Sequence, residues 1–92
     1  NLNAMANIRD LKKDINYVLG EIIEMAMDWE KANPDGDKSK TAAIIDEAIT
    51  AFDSFSSRIY DKGIDNKRLH YRAIVTDLEA KGNELIAKLN AL

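Results

Sequence analysis

Five oxygen-bearing side chains occupy every second position from Asn33 through Asp35, Asp37 and Ser39 to Thr41. Alternating oxygen ligands are how a calcium loop surrounds a hard cation, but such a loop also needs glycine at its sixth position and a bidentate glutamate at its twelfth. Counted from Asn33, those positions hold Lys38 and Ile44; counted from Asp35, they hold Lys40 and Asp46. Both registers fail, so the segment reads as a polar turn with a helix cap. Glu21, Glu24 and Asp28 share one face of a helix, yet carboxylate metal sites in bundles add a Glu-x-x-His motif. The one histidine, His70, has Lys67 three residues before it and Ala73 three after. The acidic face reads as solvated, and no metal or cofactor is expected.

Nucleophilic chemistry has equally little to work with. Serines stand at 39, 54, 56 and 57, none in a nucleophile-elbow context, and no phosphate loop or dinucleotide fingerprint is present. The chain is expected to be non-catalytic. One basic concentration stands out: Arg58, Lys62, Lys67, Arg68 and Arg72, with Tyr60, His70 and Tyr71 interleaved. Aromatics among cations suit single-stranded nucleic acid or a phosphate ligand. Asp53, Asp61, Asp65 and Asp77 offset the charge nearby, which makes anion binding the alternative reading. The net charge of −3 also disfavours a general polyanion binder.

A spare apolar flank is the stronger signal. In the first third of the chain Ile8, Ile15, Ile22 and Trp29 recur every seven residues, and Leu11, Val18 and Met25 follow three residues after the first three. These positions form one stripe of a long helix, the pattern of a bundle or coiled coil. Ile23 and Met27 lie off it, four residues apart, on a flank shared with Gly20 and Asn16. Met27 falls nearly opposite the centre of the stripe. Ile44 widens the stripe of the second helix similarly. An apolar, Met-bearing flank of this kind is a common partner surface. Gly20, Ile23 and Met27 are therefore the candidate contact residues for another protein or a second copy of the chain.

Three helices must position these groups. Helix one is expected from about Leu2 to Ala32, ending at Asn33-Pro34-Asp35-Gly36, where proline and glycine enforce a turn. Helix two runs from about Lys38 to Lys62, capped by Asp37 or Ser39, with a stripe of Ile45, Ala48, Ile49, Phe52, Phe55 and Ile59. Lys62 before Gly63 reads as its C-terminus. Helix three runs from about residue 66 to 91, after an Asp65 cap, with a stripe of Tyr71, Val75, Leu78, Leu85, Leu89 and Leu92. Gly82 sits where another large residue would fall, the sign of close approach by another backbone or by a bulky facing side chain such as Trp29 or Phe52.

Ninety-two residues without cysteine exclude disulfides, zinc-thiolate sites and thiol chemistry. No apolar run approaches the roughly 20 residues of a membrane span. Cysteine usage favours the cytoplasm slightly and fits an exported mature form as well. The start at Asn1 suits a mature form, an excised domain or a trimmed chain. The expected architecture is an all-α, antiparallel up-down-up three-helix bundle with coiled-coil-like heptad packing, one domain over 1–92. Its expected role is protein–protein interaction or self-association through helix faces.

Overall fold

In the computed structural model, which describes residues 7–92, three helices follow one another: α1 (Ile8–Ala32), α2 (Lys38–Ile59) and α3 (Lys67–Asn90). Each packs against both others to form an all-α three-helix bundle. Connections of five and seven residues are too short to cross the bundle, so successive helices run antiparallel. Cross-ties agree. Glu30 near the end of α1 accepts a hydrogen bond from Thr41 at the start of α2, and Arg58 near the end of α2 pairs with Asp77 in the first half of α3 at 2.9 Å.

Asparagine and aspartate set the helix starts. Asn7 is extended (φ −132, ψ 173) and its side chain accepts from the Asp10 amide, capping α1 at Ile8. Residues 1–6, where the expected start near Leu2 falls, lie outside the described residues. Asp37 caps α2 by accepting from the Ser39 amide at 2.8 Å, as expected. Asn66, not Asp65, caps α3, accepting from Leu69 at 3.1 Å.

The second helix ends three residues before the expected Lys62. Tyr60 and Asp61 donate back to the carbonyls of Ser57 and Arg58, tightening the last turn, and His70 Nε2 lies 2.6 Å from the Arg58 carbonyl. With those carbonyls occupied the chain unwinds at Tyr60. Gly63 takes the left-handed conformation (φ 72) within the connection rather than directly after the helix.

The core is rotated from the expected stripes. In α1 the buried line is Leu11, Ile15, Leu19, Ile22 and Ala26; it passes through Leu19 and Ala26 instead of Val18 and Met25, and Met25 is exposed. The steps of four, four, three and four along this line centre the buried face on the Leu19 and Ala26 side of the expected stripe, in keeping with a straight helix, which a strict seven-residue repeat underwinds by about 20° per heptad. In α2 the buried residues are Thr41, Ile44, Ala48, Ala51, Phe55 and Ile59, while Ile45 and Phe52 are half-buried and Ile49 is exposed. Ile44 is thus core. In α3 Ile74, Leu78, Gly82 and Leu85 are buried, with Tyr71, Val75, Leu89 and Leu92 packed at the margin.

Gly82 does mark a close approach, but the facing group is Val18. A Cβ at position 82 would stand 3.1 Å from Val18 Cγ1. Trp29 instead packs over the first turn, its ring 2.8 Å from where a Gly36 Cβ would sit.

Candidate interaction surface

Two ties fix how α1 and α2 line up. At one end the buried Thr41 hydroxyl donates to the Glu30 carboxylate. At the other the Lys12 ammonium lies 5.3 Å from the centre of the Tyr60 ring. Between them the antiparallel register sets Met27 level with Ile45, Ile23 level with Ile49, and Gly20 level with Phe52. All six stand on the flanks that carry the ties. Counting back from Glu30, Met27, Ile23 and Gly20 follow at steps of three, four and three; counting on from Thr41, Ile45, Ile49 and Phe52 follow at four, four and three. Side chains at such steps share one helix face.

The result is an apolar strip along the α1–α2 seam. Met27 is 47% exposed and Ile49 48% exposed; Ile23, Ile45 and Phe52 are half-buried, and Gly20 is open. A Cβ on Gly20 would meet nothing within 4 Å, so its open surface is not demanded by packing of α1 on its neighbours. The three candidate contact residues of α1 and these three residues of α2 fall on the two flanks that border the seam. By spacing alone those three belong to the core stripe of α2. Their signal lay in adjacent apolar pairs, Ile44-Ile45, Ala48-Ile49 and Ala51-Phe52, of which the first member turns inward and the second toward the seam.

Of the basic residues, Arg58 is turned away from the rest. Arg58 is spent on Asp77 at 2.9 Å and lies 5.6 Å from the Phe55 ring centre. Lys62, Lys67, Arg68 and Arg72 are exposed. Five helical positions separate Arg72 from Asp77, which at about 100° per residue turns Arg72 well away from the Arg58 side of α3. Arg68, four residues before Arg72, shares the Arg72 face.

The remaining features hold the bundle together. An open groove of about 390 Å³ between α2 and α3 is lined by Ser54, Arg58, Asp77, Lys81 and Glu84. Lys88 contacts the Glu47 carboxylate at 2.7 and 3.0 Å, and Lys81 reaches Glu84 at 3.1 Å. The Glu47 hydrogen bond raises the Lys88 pKa, and the Lys81 hydrogen bond lowers that of Glu84. Both groups are exposed, where such pairs add little stability individually. Among the described residues, no group of three or more His, Asp or Glu side chains is placed to hold a metal ion. No helix there is long and apolar enough to cross a membrane.

Comparison with known protein families, with curated proteins and with solved structures finds no match.

Proposed function

We propose that this chain is a non-catalytic protein-binding module whose contact surface is the α1–α2 seam. The observation that supports this reading most is the continuity of the strip. Gly20, Ile23 and Met27 stand at the levels of Phe52, Ile49 and Ile45 along the seam, and Met27 and Ile49 stand about half in solvent. Isolated exposed apolar residues are ordinary on protein surfaces, whereas contiguous ones mark contact sites. A shallow seam between two antiparallel helices suits a third helix, which would seat its own apolar face at i, i+3, i+4 and i+7.

Anion binding by Arg58, Lys62, Lys67, Arg68 and Arg72 is the second reading, weakened by the pairing of Arg58 with Asp77, and it predicts a different salt response. Phosphate contacts release counterions and weaken steeply with salt. Burial of an apolar seam is far less sensitive.

The experiment compares wild type with an Ile23→Glu/Met27→Lys variant by light scattering across concentration and by titration with a panel of amphipathic helical peptides. The reading expects an association, with a peptide or with itself, that the variant loses while its helical circular dichroism is unchanged. An association that survives the double substitution overturns it, and so does the absence of any association in wild type.

A further inference from the structure

The seam has a charge pattern as well as an apolar one. No lysine or arginine occurs from Asp14 to Glu30 in α1 or from Thr41 to Ser57 in α2. Acids occupy the same spans, and three of them border the strip. Glu24 stands four residues after Gly20 and three before Met27 on the α1 edge. Asp46 and Asp53 stand three before and four after Ile49 on the α2 edge. All three are exposed, and among the described residues none forms a salt bridge. Glu21 and Asp28 add charge further out on α1. In these two helices cations lie outside those spans: Arg9, Lys12, Lys13 and Arg58 at one end, and Lys31, Lys38 and Lys40 at the other.

Resting on the seam as the binding surface, we propose that its partner is a cationic amphipathic helix: an apolar face seated on Ile23, Met27, Ile45, Ile49 and Phe52, with lysines or arginines over Glu24, Asp46 and Asp53. Complementary charge around an apolar centre steers encounter and excludes wrong partners. The same acids argue against a second copy of the chain as the occupant, because pairing two identical seams would place acidic edges against acidic edges. The strip from Gly20 to Met27 covers about 10 Å at 1.5 Å per residue, room for two turns of a partner helix.

The test uses two designed helical peptides of about 18 residues, long enough to hold a helix, with identical leucine and isoleucine faces. One has lysine and arginine edges and the other glutamate edges. Binding to wild type and to a Glu24→Lys/Asp46→Lys/Asp53→Lys variant is read by fluorescence anisotropy at low and high salt. Wild type should prefer the cationic peptide by roughly tenfold or more. Salt should shrink that preference, and the charge-reversed variant should invert it. Equal affinity for both peptides, or preference for the acidic one, overturns the charge assignment while leaving the seam as a helix-binding surface. If neither peptide binds, the cationic-helix proposal falls. Light scattering then decides the rest: a dimer lost in Ile23→Glu/Met27→Lys keeps the seam as a surface for a second copy, and a monomer ends both readings.

Discussion

Gly20 and Gly36 should respond in opposite directions to the same added methyl group. Gly20 lies inside α1 on an open surface with nothing within 4 Å of its would-be Cβ. Gly20→Ala is expected to stabilise the fold by about 0.5–1 kcal/mol through helix propensity alone. At Gly36 a Cβ would stand 2.8 Å from the Trp29 ring and 3.1 Å from the Asn33 carbonyl oxygen. Gly36→Ala must displace the ring or the turn, and a cost of about 1–3 kcal/mol is expected, typical of overpacking. Urea denaturation of the two variants checks both signs; a neutral Gly36→Ala would show that Trp29 does not depend on this contact. Residue chemistry of this kind was legible in part. Gly36 announced a turn, and Met27 announced itself as misplaced for a core. That Trp29 seals the first turn rather than facing Gly82 was not legible, because it depends on a rotamer and an interhelical distance that spacing alone does not encode.

At the scale of the elements, the helix starts are governed by single side chains, and one of these should be visible in pH dependence. The Ser39 backbone amide, and secondarily its hydroxyl, hold the Asp37 carboxyl below its ordinary pKa. A carboxylate depressed in the folded state contributes stability above its unfolded pKa and loses it as pH falls through the folded value. Asp37→Asn keeps an acceptor but removes the charge at the N-terminus of α2. Wild type should exceed this variant in stability at neutral pH, and the gap should close as pH falls below about 4. A gap that stays constant into acid would mean the ionised form contributes nothing. The number, order and approximate limits of the helices were readable from periodicity and turn residues. The rotation of each helix was not. An apolar pair such as Ile44-Ile45 offers two candidate inward positions, and a helix wedged between two neighbours chooses by packing with both. Ile44 went in and Ile45 went to the seam. The same ambiguity hid the α2 half of the candidate surface, since Ile49 and Phe52 have the composition of core residues.

For the molecule as a whole, the layout of charge and apolar surface differs from face to face. The α2–α3 side is tied by Glu47–Lys88 and Arg58–Asp77. The end near the second connection carries the exposed Lys62, Lys67, Arg68 and Arg72. The α1–α2 seam combines an apolar floor with acidic edges. A partner that uses the seam must therefore perturb one narrow band of the bundle. The most direct measurement is an amide nuclear magnetic resonance titration of the chain with the cationic amphipathic peptide. Shift changes should concentrate between Gly20 and Met27 in α1 and between Ile45 and Asp53 in α2, with α3 nearly silent. Changes centred on Lys62 to Arg72, or spread evenly over all three helices, would contradict the seam as the binding surface.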